Sequence, residues 1–193
     1  MSFAKLALIA LLLTGSTYAT RAADLRQLLD LKPGEWRELP ETRMSAVFPT
    51  EKETTWGVMG PRAVIMAWGG AAYDTKRNAF VFNGGGHVDY GGNEVYAFFL
   101  EELKWRRLTE PSAMKQLDTN QYVTTDDAPV STHTYDGLEY LPNVDRIFRN
   151  GGSEWKSGHN FDLSAWLFDM DSRRWLKGSA GGGGIVGTAY DRV

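Results

Sequence analysis

The 193-residue sequence contains no cysteine. A disulfide framework is excluded, so a fold that leaves the cell must rest on packing and hydrogen bonds alone. The same absence excludes a lipid anchor attached at a cysteine. An excess of charge of one sign is lacking too: 21 basic and 24 acidic residues leave a net charge of −3. That balance gives no electrostatic basis for binding nucleic acid or an acidic membrane surface. Long apolar runs are missing. The unbroken stretch Leu6 to Leu13 is too short to span a bilayer comfortably. No G-x-S-x-G, H-E-x-x-H, Walker or dinucleotide-binding signature occurs. Gly181 to Gly184 is a glycine run with no lysine after it, so it is not a phosphate cradle.

What is present begins with an export signal. Lys5 supplies a positive start, Leu6 to Leu13 an apolar segment, and Thr17-Tyr18-Ala19 small residues at a cleavage boundary. Residues 1–19 are therefore expected to be removed, leaving a mature chain with no membrane anchor, secreted or periplasmic. From Thr20 to Asp30, Leu25, Leu28 and Leu29 fall at helical spacing, and Pro33-Gly34 stops the run. Leu39 to Ala67 is punctuated by Pro40, Pro49, Gly57, Gly60 and Pro61, which reads as a long loop with a short strand near 63–66.

The chain is organised around Gly70 to Leu108. Four short apolar runs with period-two patterning are separated by turn residues: Ala71 to Tyr73, Ala79 to Phe82, Glu94 to Phe99 and Trp105 to Leu108. The pattern returns. Tyr140 lies 67 residues after Tyr73, and Arg146 to Gly152 repeats Ala79 to Gly85 at the same offset. Phe168 and Trp175 lie 70 residues after Phe98 and Trp105, the difference falling in the loop after the glycines. Trp36-Arg-Glu-Leu39 reads as the last strand of an earlier unit, and Gly187 to Asp191 as the first strand of a third. Self-similarity on this scale means stacked units that cannot each bury their own faces.

In the order strand, Gly-Gly, aromatic strand, then Trp at a fixed distance, residues 63–193 resemble the kelch repeat of β-propellers, including the galactose-oxidase-like superfamily. The resemblance implies an all-β fold of four-stranded antiparallel blades, two complete and two partial, after an N-terminal segment at 20–62. Propellers close with about four to eight blades. Two cannot close a ring, so a truncated propeller, or self-association through open blade sides, is expected. The two tryptophans are expected to pack between blades.

Strand alternation sorts the connections. The loops after the second strand of each unit, and the connections between units, share one face. Thr109 to Val130, carrying Asp118, Asp126 and Asp127, is one such connection, and the glycine-rich Lys177 to Val186 is another. His87, Asp89 and Tyr90 lie in the first loop, Glu154, Trp155 and His159 in the second, and His133 at the entry to the second unit. Imidazole, carboxylate and aromatic groups on one rim suit a carbohydrate or a protein partner. No metal or cofactor is assigned. The resemblance also leaves open an enzyme acting on sugars, such as an epimerase, a mutarotase or an oxidase, with His133 as acid or base, and a fragment without independent activity. The copper radical cofactor of the galactose-oxidase-like relatives needs a Tyr crosslinked to a Cys, which this chain cannot supply.

Overall fold

The computed structural model describes residues 30–50, 56–118, 121–156, 162–180 and 188–189. The export signal lies outside the described residues, as does the expected helix except for Asp30, which sits in a turn. Contacts divide the chain into two units, residues 1–41 and 42–193. In the first, a turn joins Lys32 to Glu35: the Glu35 amide donates to the Lys32 carbonyl at 3.0 Å, and the Lys32 amide to Glu35 Oε2 at 2.9 Å. Trp36 to Leu39 forms no strand, contrary to the sequence expectation.

The second unit is built of antiparallel strands. Strands β1 (Ala71–Asp74), β2 (Ala79–Asn83), β3 (Val95–Phe99) and β4 (Lys104–Arg107) pair in sequence order as one four-stranded sheet. A hairpin of β5 (Met114–Asp118) and β6 (Gln121–Thr124) follows, where the sequence suggested an irregular connection. The short strand β7 (Thr132–His133) leads to a second four-stranded sheet. Its strands are β8 (Leu138–Leu141), β9 (Arg146–Asn150), β11 (Ser164–Asp169) and β12 (Arg174–Ala180), again in sequence order. Between β9 and β11, β10 (Ser153–Glu154) turns back to pair with β7. Residues 177–180, assigned to a linker from their composition, extend β12 instead. Ala63–Met66, expected as a strand, is a single helical turn, α1. Pro61 just before it fixes φ for helix entry.

The sheets repeat each other at the backbone level. Phe82 pairs with Tyr96 and Phe98 with Trp105 in the first sheet; Arg149 pairs with Trp166 and Phe168 with Trp175 in the second. Left-handed residues recur at the same places: Asn78 (φ 48°) and Asp145 (φ 54°) in the first turn of each sheet, Leu103 (φ 49°) and Arg173 (φ 56°) in the third. Gly84 and Gly85 (φ 128° and 124°) recur as Gly151 and Gly152 (φ 69° and 109°), where a Cβ would strain the backbone.

One hydrophobic cluster joins the two sheets. Ala72, Val81 and Ala97 of the first meet Leu138, Tyr140, Ile147 and Phe168 of the second, with Trp175 against them. The opposite face of the first sheet, Phe82, Tyr96 and Trp105, packs instead against Met44, Phe48, Ala63 and Val64. Trp175 thus lies between sheets as expected, while Trp105 is covered by an irregular segment and donates from Nε1 to the Thr42 carbonyl at 2.7 Å. At the end carrying the tight turns, Arg77 binds Asp74, Asp145 and Asp171 at 2.9, 2.7 and 2.8 Å, tying three turns of two sheets together.

Among the described residues no helix is long and apolar enough to cross a membrane.

Candidate functional site

The loops at the other end converge. The Gly85 amide donates to the Thr132 carbonyl at 3.0 Å, and the Gly86 amide to Ser131 Oγ at 3.0 Å. Ser131 Oγ in turn donates to the Tyr90 carbonyl at 2.8 Å. From the loop after β10, the Trp155 amide donates to the Ser131 carbonyl at 2.9 Å and the Lys156 amide to the His87 carbonyl at 2.5 Å. The loop after β2, the strand β7 and the loop after β10 therefore share one rim. Gly86 makes this approach feasible, since a Cβ there would stand 2.2 Å from the Thr132 carbonyl carbon.

The rim holds an imidazole pair. His87 and His133 stack with ring centroids 5.6 Å apart and planes 18° from parallel. His133 Nε2 lies 2.9 Å from Asp89 Oδ2, and Tyr135 meets the His133 ring edge-on at 6.0 Å. Burial lowers the pKa of His133 below its ordinary value; the Asp89 carboxylate opposes that shift and the neighbouring His87 adds to it. The Tyr135 amide donates to the Trp68 carbonyl at 2.7 Å. Trp68 (φ 51°) and Tyr135 (φ 49°) are equivalent positions, 67 residues apart, and both are left-handed. Two large aromatics in that conformation are outliers of the kind that gather at functional sites.

Exposed apolar side chains lie on the rim loop and on segments hydrogen-bonded to it. Val88 and Val58 are 46% and 74% exposed and joined by an amide-to-carbonyl bond of 3.1 Å; Met66 and Trp68 are 65% and 70% exposed.

The other expected residues divide. Tyr90 is buried away from the rim, its hydroxyl donating to Glu94 Oε1 at 2.5 Å. The Trp155 side chain is also buried. Glu154 belongs to a second cluster. There Arg149, fully buried, donates from Nη2 to the Val130 carbonyl and Thr132 Oγ1, both at 2.8 Å, with Asp162 Oδ2 3.7 Å away. Its Nε and Nη1 make no hydrogen bond among the described residues. Burial, then the Asp162 charge, raises the Glu154 pKa, and Arg149 opposes this. His159 lies outside the described residues. Among the described residues no group of three or more His, Asp or Glu is arranged to hold a metal ion.

Sequence reasoning missed Trp68, Tyr135, Arg149 and Asp162. Three of them carried a signal. Trp68 and Tyr135 sit at the repeat offset, two residues before the aligned stretch begins. Arg149 is a charge at the core-facing position that Phe82 occupies in the first unit.

No protein-family model matches the chain, and no curated protein is significantly similar to it.

Proposed function

We propose that the chain forms blades of an exported kelch-type β-propeller that binds a protein partner through the rim around His87, Asp89 and His133. The blade reading is supported by two four-stranded meanders with the same register, the same left-handed positions and neighbouring first strands β1 and β8. Export is supported by the apolar segment and small-residue boundary of residues 1–19.

The observation that carries the binding role is the composition of the rim. Val88 beside His87, and Val58 and Trp68 on segments hydrogen-bonded to the rim, are left exposed, and the rim holds a buried, carboxylate-paired imidazole. Exposed apolar side chains bordered by polar groups are the usual mark of a protein-binding surface. Trp68 and Tyr135 provide rigid aromatic area of the kind that anchors such interfaces. The imidazole pair fixes the loops that present them.

The test is photo-cross-linking in the producing cell. A photoreactive side chain substituted for Val88 is expected to give a discrete protein adduct in the exported fraction. The same side chain at Leu117, exposed on the β5–β6 hairpin, is expected to give none. Equal adduct patterns from both positions, or no adduct from Val88, overturn the reading.

A further inference from the structure

A cleft of about 580 Å³ opens between the β5–β6 hairpin and the second sheet. Its walls include Tyr122, Glu154, Asp162, Trp166 and Lys177. None of these belongs to the histidine rim. We propose that this cleft is a second binding site, for a neutral oligosaccharide.

The chemistry of the walls selects the ligand. Tyr122 and Trp175, half-buried in the walls, offer ring surface, which suits the CH-rich face of a pyranose. Glu154 and Asp162 offer acceptor oxygens. Asp162 already accepts from the Trp166 indole at 3.1 Å and from the Ser164 amide at 2.8 Å, and a carboxylate retains further lone pairs. Lys177 offers a donor. A sugar hydroxyl both donates and accepts, so one ligand type can serve carboxylates and ammonium together.

The alternatives fit less well. An organic cation would be repelled by the two ammonium groups that already stand beside the rings, whereas a neutral sugar is not. Lys177 Nζ stands 5.3 Å from the Trp166 centroid, and Lys156 Nζ 5.5 Å from that of Tyr122. An acidic ligand would meet Asp127, Glu154 and Asp162 along the walls. Behind the floor, the Arg149 guanidinium holds Asp162 and Glu154 electrostatically, so the acceptors are positioned before any ligand arrives.

The ligand is a chain rather than a single sugar because a second cavity adjoins the cleft. A second cavity of about 750 Å³ shares Asp127, Ala128, Trp175 and Leu176 with the first. The two cavities adjoin at these four residues, at the base of the hairpin.

Because Trp166 and Trp175 line the cleft, tryptophan fluorescence reports occupancy. The full chain is titrated with maltotetraose, cellotetraose, chitotetraose and mannotetraose, and separately with choline. One tetrasaccharide is expected to shift the emission saturably, and its monosaccharide to bind more weakly. Tyr122→Ala and Glu154→Gln should each weaken that binding by about tenfold, the loss of one charge-assisted or stacking contact. Tyr122 lies on an outlying hairpin, so its variant should fold normally, and thermal melts verify this. Val88→Ser on the rim should leave the affinity unchanged, which separates this site from the protein-binding surface. Failure of all four tetrasaccharides overturns the proposal. So does unchanged affinity in the two cleft variants, or saturation by choline in place of sugar.

Discussion

Glu94 is fully buried beside two tyrosines. Its Oε1 accepts from the Tyr90 hydroxyl at 2.5 Å and the Tyr96 hydroxyl at 3.0 Å, while Oε2 has no hydrogen-bond partner among the described residues. Burial pushes the carboxyl above its ordinary value of 4.5, and the two tyrosine hydrogen bonds only partly offset this. The same burial, with the Glu94 charge, pushes both phenols upward. The folded state therefore keeps a proton that the unfolded chain releases. That contribution to stability is complete below a pH of about 4.5 and is lost as pH rises toward the folded value. Glu94→Gln keeps an acceptor for the tyrosines but cannot ionise. Melts of both proteins across pH should show the glutamine variant gaining on the native protein as pH rises above about 4.5. A difference independent of pH would mean that Glu94 ionises normally in the fold. Glu94→Ala, which strands both hydroxyls and leaves a cavity, should cost about 3 kcal/mol at low pH and less as pH rises and the native carboxyl loses its advantage. None of this was legible in the sequence. Asn93-Glu-Val-Tyr reads as the start of an alternating strand, and alternation fixes the face of a side chain but not whether a charge on that face finds partners.

The strands themselves were legible because their determinants are local. Alternating apolar residues, Asp74 accepting from the Lys76 and Arg77 amides at 2.9 and 3.0 Å, and paired glycines define both sheets within a few residues of the chain. Trp36 to Leu39 shows the limit of that logic, since a strand-like pattern without a neighbour to pair with does not become a strand. Ala63–Met66 shows it again. Its apolar run is short enough for either period, and the preceding Gly60-Pro61 turn sets helical dihedrals. The rim was half legible. Strand alternation brought His87 and His133 to one end, but their stacking depends on how closely two loops approach. Gly86 controls that distance. Gly86→Ala places a Cβ 2.2 to 2.4 Å from three backbone atoms of Thr132 and His133, and no side chain can move aside to relieve it. The expected cost is about 2–3 kcal/mol, with the two imidazoles driven apart. Proton NMR should show the ring-current shifts of His87 and His133 relaxing together. Unchanged shifts in a folded variant would mean that the loops approach independently of Gly86.

At the scale of the whole molecule, the two sheets use the same positions differently. Tyr140 and Ile147 are 3% and 1% exposed beneath the first sheet, whereas their equivalents Tyr73 and Phe80 are 42% and 39% exposed. These two rings touch at 5.2 Å and form an apolar strip on β1 and β2. The irregular segment over Phe82, Tyr96 and Trp105 covers the other part of that face and does not bury this strip. The matching outward face of the second sheet carries Phe148, Leu167 and Leu176, with Leu176 54% exposed. One face is thus the counterpart of the surface that the first sheet already covers, and the other the counterpart of the surface that does the covering. A head-to-tail contact between copies would repeat the interface present once within the chain. The expectation is a mass that rises with concentration in light scattering. Phe80→Asp should disperse the protein, because it places a charge where the contact must exclude water, and Phe80 is exposed enough that the isolated fold should tolerate the change. A native protein that stays monomeric at every concentration would show that the strip is simply solvated. A folded Phe80→Asp variant that still associates would place the contact on another surface, with the histidine rim and its exposed Trp68 the first to examine.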